Sequence, residues 1–321
     1  MQNNSSVYLS NNLSNIYMQL NDWSIVRVLG LDKKKYLNNQ FTIDINSIDN
    51  YNYKIGTHCN INGKVWTSFF IFKYYDCYLY IVRSSICKKH LYELKKYSLF
   101  SKVDIFEDNS FRLFGLCGSK SDFILKDIFS IRFNQYTSVI VQDGLVFLKI
   151  NQPVNRYLIL VHENKVENFL KCIKHKILLS ISMQWLALDI EACFPIIDKK
   201  ISGFFILQSL GLKKWNAIDF NKGCYYGQEV LCKYENKKIN KFTVCSLIGN
   251  NYSCHPDIFE SVEYLDDKSG YKFHVGVVLS WVYIYPKKLL LQIRIKKIFL
   301  KKKNIFFIKS NPSVDFFVFT R

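Results

Sequence analysis

Apolar positions alternate loosely from Trp23 to Leu29, which predicts a strand, and Asp32 stands where it can cap a short helix running through Gln40. After a polar turn at Asn46 to Asn52, two aromatic and β-branched runs, Lys64 to Lys73 and Cys77 to Arg83, read as neighbouring strands. A helical segment from about Lys88 to Phe100 and a strand at Lys102 to Phe106 complete a β-β-α-β unit. Ser121 is placed to cap a helix through Phe129, and Leu145 to Lys149 and Tyr157 to Val161 read as strands. Val166, Phe169, Leu170 and Ile173 recur at helical spacing, so a helix from Glu163 to Lys174 should pack one face on that sheet. The helical stretch around Trp185 to Ala192 ends at Pro195. Beyond Lys241 the chain becomes short strands at Phe242 to Ile248, His274 to Tyr285, Leu289 to Ile298, Ile305 to Lys309 and Val314 to Phe319, the pattern of a small antiparallel barrel.

The pattern changes near residues 50, 112 and 240, and 321 residues with 49% hydrophobic content suffice for two or three domains. The opening Met1-Gln-Asn-Asn-Ser-Ser6 lacks a basic-then-apolar signal, and no uncharged apolar run nears the roughly 18 residues of a membrane helix. A soluble cytoplasmic protein without membrane contact is expected. Ten cysteines show no Cys-x-x-Cys spacing, and His58-Cys59 and Cys254-His255 lack further ligands, so no metal is expected.

Candidate chemistry concentrates in Asp219-Phe-Asn-Lys-Gly-Cys-Tyr-Tyr-Gly-Gln-Glu229. Gly223 and Gly227 permit a tight turn or a close ligand approach, and Cys224 between them is either a buried structural cysteine or a tuned, accessible thiol. A helix beginning near Cys224 and the ammonium of Lys222 would both favour the thiolate. The stretch Lys222-Gly-Cys-Tyr-x-Gly-Gln-Glu229 resembles the signature of the YgfZ family, folate-binding proteins related to the T-protein (aminomethyltransferase) of the glycine cleavage system. Further matching blocks are Asn21-Asp-Trp23, Gly30 to Gln40, Thr42 to Ile45, His58-Cys59, Gly63 to Trp66, Leu94 to Tyr97, Phe100 to Val103, and Gln184 to Pro195 with Ile197-Asp198 and Phe205 to Gln208. The similarity thus runs from about residue 20 to 242.

The resemblance implies an α+β, T-protein-like fold: residues 1–50 plus 113–238 as a discontinuous folate-binding domain, 51–112 as a ferredoxin-like insert, and 239–321 as a C-terminal antiparallel β-barrel. It makes Trp23 and Trp185 the folate-binding tryptophans, and stacking of a flat pterin on indole faces suits those residue types. Glu191, on the helix of Trp185, is a candidate for the amino-pyrimidine edge of the pterin. Trp66, Trp215 and Trp281 read as core residues. Cys224 becomes the reactive thiol, Lys222 its electrostatic support, and Gly223, Tyr225, Gly227, Gln228 and Glu229 the rest of the motif. The implied role is a folate-dependent accessory protein for iron–sulfur enzymes that modify tRNA by thiolation, with an effect on replication initiation. The cofactor would be tetrahydrofolate or a derivative.

Some positions depart from the family pattern. Tyr226 replaces a small or hydroxyl residue, Cys232-Lys233 an alanine-arginine, Leu207 a proline and Asn39 a glycine, and an Arg-Gly is lost within Glu235 to Ile239. Where T-proteins carry an aspartate, Asn62-Gly-Lys-Val-Trp-Thr-Ser68 has no carboxylate, which argues against an aminomethyl (one-carbon) transferase. A third reading, a basic tRNA-binding module without folate chemistry, draws on the net charge of +18. Only seven of the 44 basic residues are arginine, however, and abundant Asn, Ile, Tyr and Phe indicate an AT-biased genome. Lys33 to Lys35, Lys237-Lys238 and Lys301 to Lys303 then read as solvated faces. A lysine-lined cleft would still attract the glutamate tail of a folate or the backbone of a tRNA.

Overall fold

Along Val65–Tyr74 the side chains of Phe70 and Phe72 enter one core while Phe69 and Ile71 enter another. The same parity holds on Cys77–Arg83, where Leu79 and Ile81 face the first core and Tyr78, Tyr80 and Val82 the second. Because a one-residue slip would exchange every face, this double burial fixes the register. The computed structural model describes residues 6–250, 255–266, 270–300, 304–309 and 311–320. Lys301 to Lys303, Cys254 and residues 1–5, considered above, lie outside the described residues.

Two sheets enclose the first core. The five-stranded antiparallel sheet has the order Lys54–Cys59, Val65–Tyr74, Cys77–Arg83, Trp23–Leu29, Asp104–Glu107. Helices α1 (Lys33–Gln40) and α2 (Ser84–Lys95) cover its outer face, burying Tyr36, Leu37, Cys87 and Leu94. The six-stranded sheet has the order Leu178–Leu179, Ile16–Gln19, Phe111–Cys117, Arg156–His162, Leu145–Ile150, Val139–Gln142. Helices α3 (Ser121–Phe129) and α4 (Val166–Ile173) back it, with Phe169 and Ile173 inward as their helical spacing predicts. Its sequence is interrupted between residues 19 and 111 by the whole five-stranded sheet, so the chain's first layer is discontinuous. Trp23–Leu29 pairs with Cys77–Arg83 and Asp104–Glu107, so the pattern change near residue 50 falls inside the span of one sheet.

Helix α5 (Met183–Glu191) turns Trp185 and Leu188 toward the core between the sheets, and Ala187 and Ile190 toward Val282 and Leu290 of the third unit. That unit is a closed six-stranded barrel of Phe242–Gly249, Lys288–Lys296, Lys272–Ile284, Ser261–Leu265, Ile305–Ile308 and Asn311–Val318. Helix α6 (Gln228–Asn236) precedes it.

Several elements differ from the periodicity reading. Helix α2 starts at Ser84 and stops at Lys95, because Leu99 and Phe100 beyond it are exposed and extend no buried face. The strand Phe111–Cys117 is hidden in the sequence by Gly115, a residue strands disfavour, whose missing side chain has a structural reason given below. Ile16–Gln19, Lys54–Cys59, Val139–Gln142 and Ser261–Leu265 are short strands that the sequence pattern leaves unmarked.

Candidate functional site

The inward-facing positions of both sheets and α5 bring two tryptophans and two arginines to the central core. Trp23 opens its strand directly opposite Arg83, and the guanidinium lies 5.1 Å from the indole centroid. Arg83 is bound in turn by Asp198, at 3.0 Å from Nε to Oδ1 and 3.3 Å from Nη2 to Oδ2. Trp185 is 1% exposed and packs over Gly115, where a Cβ would come within 2.6 Å of the indole Cε3. Its ring also carries Arg156, at 4.5 Å from Cζ to centroid. Arg156 Nη2 and Asp189 Oδ1 form a 2.7 Å ion pair in which both side chains are 1% exposed.

Asp189 ties the two halves together. Burial pushes its carboxyl pKa upward, and the positive charges of Arg156 and, further off, Arg83 pull it back. Tyr53 lies within the field of Arg156; burial pushes its phenol up to about 12. Arg156 Nε donates to the Gln152 carbonyl at 2.7 Å, yet Arg156 Nη1 and Asp189 Oδ2 are buried with no hydrogen-bond partner among the described residues. Leaving such groups unpaired costs free energy unless something else satisfies them. Arg156 and Asp189 thus each keep one polar atom without a protein partner among the described residues, in the core beside the indole of Trp185.

The expected pairing of pterin-facing groups is altered in one respect. Glu191 is buried, and its two carboxylate oxygens accept from the amide of Ser10, at 2.9 Å, and from the Ser10 hydroxyl. It fastens the N-terminal segment to α5. Among the described residues no ring pair joins Trp23 to Trp185; each indole is covered by its own guanidinium. Trp66 takes Lys89 at 4.2 Å, Trp215 packs edge-on against Phe194, and Trp281 donates to the Pro256 carbonyl at 2.7 Å.

The cysteine signature lies along the end of α1. Lys222 Nζ donates to the carbonyls of Asn38, Phe41 and Ile43 at 2.5, 2.7 and 2.8 Å, which uses all three ammonium protons. Burial lowers its pKa to about 8, while Asp44, Asp219 and the three carbonyls favour the charged form. Two backbone bonds add to this strap, Asp219 N to Thr42 O at 2.9 Å and Tyr226 N to Asn39 O at 3.0 Å. Lys222 thus holds the motif in place and has no proton left to donate to Cys224. Helix α6 begins at Gln228, four positions beyond the thiol, which removes the dipole support that a helix starting at Cys224 would give. Cys224 itself is exposed.

The rest of the signature is structural. Gly227 has φ +85°, and a Cβ there would meet the Asn60 carbonyl at 2.5 Å, so the hairpin tip between Cys59 and Val65 docks on it. Gly223 has open space around it. Tyr225 is buried beneath Lys222 at 4.8 Å, and its hydroxyl has no hydrogen-bond partner among the described residues. Glu229 occupies the first turn of α6, where an acid suits the dipole, and Gln228 N caps back to Tyr225 O at 3.1 Å. Tyr226, the bulky departure, is accommodated by Tyr97, hydroxyl to hydroxyl at 2.8 Å.

Arg83 and Arg156 lie outside the matching blocks, and Asp189 and Asp198 lie inside them without an assigned role. A signal for the arginines was present: in a chain that uses lysine almost everywhere, a retained guanidinium marks a place needing its planar fork.

No family model matches the chain. Its fold is similar to that of the glycine cleavage system aminomethyltransferase T from Bartonella henselae, with a TM-score of 0.76, 11% identity, and coverage of 96% of this chain and 85% of that one. Fold and barrel together define an α+β protein of the T-protein-like class. The sequence is 40% identical over 315 residues to the tRNA-modifying protein YgfZ of Buchnera aphidicola subsp. Schizaphis graminum, covering 95% of this chain and 98% of that protein. Against YgfZ of Escherichia coli O157:H7 the identity is 33% over 277 residues, covering 86% and 84%. The chain belongs to the YgfZ family. No helix among the described residues is long and apolar enough to cross a membrane.

Proposed function

We propose that this protein binds a folate at the central core around Trp23 and Trp185 and, in that form, supports tRNA modification in the cytoplasm. The unpaired couple of Arg156 Nη1 and Asp189 Oδ2 carries the reading. An amino-pyrimidinone edge offers N–H donors next to an acceptor, which matches a carboxylate oxygen beside a guanidinium N–H. Trp23, Trp185 and the two arginines are flat, polarisable groups of the kind on which a pterin stacks, which supports this reading. Asp189 takes the polar role first assigned to Glu191, whose carboxylate serves Ser10. A bound tetrahydrofolate would carry a one-carbon unit. The hairpin tip at Asn60 to Lys64 offers amides and no carboxylate to manage protons, so an accessory role is favoured over aminomethyl transfer.

The relatives' name as tRNA-modifying proteins supports the tRNA part of the reading. The family resemblance adds iron–sulfur enzymes that thiolate tRNA as partners and an influence on replication initiation. Cys224, exposed on a strapped loop, is the thiol available for that work, with Lys222 positioning it.

Tetrahydrofolate should quench tryptophan fluorescence in the wild-type protein and bind roughly tenfold more weakly to Trp23→Phe and Trp185→Phe, the loss expected for about 1.4 kcal/mol of ring contact. Phenylalanine is chosen at 185 because alanine would leave a core void costing about 3–5 kcal/mol. Unchanged affinity in both variants would refute the site.

A further inference from the structure

Positive charge gathers along two adjoining cavities where α6 meets the barrel. A cavity of about 450 Å³ and a neighbour of about 370 Å³ share Tyr234, Asn240 and Phe242 as a common wall. Lys213 and Lys214 enter from the turn Leu212–Trp215, Lys238 from just past α6, and Lys64 from the hairpin tip. The barrel adds Lys241, Arg294 and Lys297. Glu235 is the one carboxylate among the lining residues, and Lys213 already pairs with it.

Lysines scattered by genome bias would be spread over the surface, whereas these arrive from four separate elements at one cleft. An anionic occupant would offset their mutual repulsion. Arg294 makes the point more sharply. Its Cζ lies 3.6 Å from the Phe242 centroid and 4.5 Å from that of Phe205, and its Nε is buried without a hydrogen-bond partner among the described residues. Burial lowers its pKa to about 10, so the site disfavours the very charge it holds. Phe204, 58% exposed on the same cavity wall, packs edge-on against Phe259 at 4.8 Å between centroids and leaves aromatic surface of the kind that stacks on an unpaired base.

We propose that this cleft docks the phosphate backbone of tRNA, a proposal that rests on the tRNA reading above and assigns it a surface. Seven cations along two joined cavities match a chain of phosphates better than a single small anion.

Binding of an unmodified tRNA transcript to the full chain, followed by fluorescence anisotropy across a salt series, tests it. The triple variant Lys214→Glu/Lys238→Glu/Lys297→Glu should bind at least 30-fold more weakly, and the slope of log affinity on log salt should fall by about 2, as expected for three lost phosphate contacts. Arg294→Lys should weaken binding severalfold while leaving the slope unchanged, because the charge stays and the fork goes. Lys34→Glu/Lys35→Glu on α1, which lines neither cavity, should stay within about threefold of wild type. Tetrahydrofolate affinity should be the same in the triple variant and the wild type, which separates this surface from the proposed folate site.

Unchanged tRNA affinity in the triple variant, or an equal loss in the α1 control, overturns the proposal. Absence of wild-type tRNA binding at low salt also overturns it, and leaves the folate reading standing. A triple variant that loses affinity only for pentaglutamyl tetrahydrofolate would assign the cleft to a folate tail and overturn the tRNA assignment.

Discussion

Replacing Arg156 with methionine is expected to lower the unfolding free energy by about 3–5 kcal/mol, the usual cost of stranding one partner of a buried ion pair. Both members are 1% exposed, so water cannot compensate the Asp189 charge that remains. The variant also gives up the Nε bond to Gln152 O and the contact over Trp185. Burial already raises the Asp189 pKa, and losing its arginine would raise it further. For a carboxylate whose folded pKa lies above its unfolded value, the penalty is full at high pH and is relieved as pH falls through the folded pKa. Arg156→Met should therefore be more damaging at pH 8 than at pH 5. Urea unfolding of the double variant Arg156→Met/Asp189→Leu should recover much of the loss. A loss below about 1 kcal/mol for the single change, with no recovery in the double, would mean that the pair is not desolvated.

Acid should destabilise the protein through a second buried pair. His58 and His90 face each other by Nδ1 at 3.1 Å, and His90 Nε2 meets the Tyr80 hydroxyl at 2.8 Å. Phe41, Phe69 and Tyr80 pack around the rings. Desolvation lowers the His58 pKa to about 3, and that of His90 is held well below the ordinary imidazole range, with His58 adding to the effect. The sign follows directly: below about pH 6.5 the unfolded chain takes up protons that the folded chain refuses, so stability falls as pH falls. Each imidazole contributes about 1.4 kcal/mol per pH unit until its folded pKa is reached, roughly 4–5 kcal/mol for the two between pH 6.5 and 4.5. Urea midpoints at pH 7 and pH 5 measure this, and His58→Gln should reduce the slope by about half. A wild-type midpoint that does not move over that interval would show that the pair ionises freely in the folded state.

What the sequence made legible followed from how local the signal was. The barrel, the strand at Trp23 and the helices α3 to α5 announce themselves by periodicity, and the signature announces itself by its glycines and thiol. The central arginine–indole clusters do not, because their groups come from positions 23, 83, 156, 185, 189 and 198 and are brought to the core only when the sheets close on α5. Gly115 shows the difficulty well. In sequence it argues against a strand; in the fold its missing Cβ is the space that Trp185 occupies. Lys222 shows the converse, since its place beside Cys224 in sequence suggested electrostatic support, and its reach across to α1 supplies anchoring instead.

In the proposed site a pterin edge meets Asp189, beside the arginine-backed indole of Trp185. Isothermal titration of tetrahydrofolate into folded Asp189→Asn and Glu191→Gln tests it most directly. Loss of affinity by at least tenfold in Asp189→Asn, with Glu191→Gln within about twofold of wild type, is the predicted result. Wild-type affinity in Asp189→Asn would contradict it.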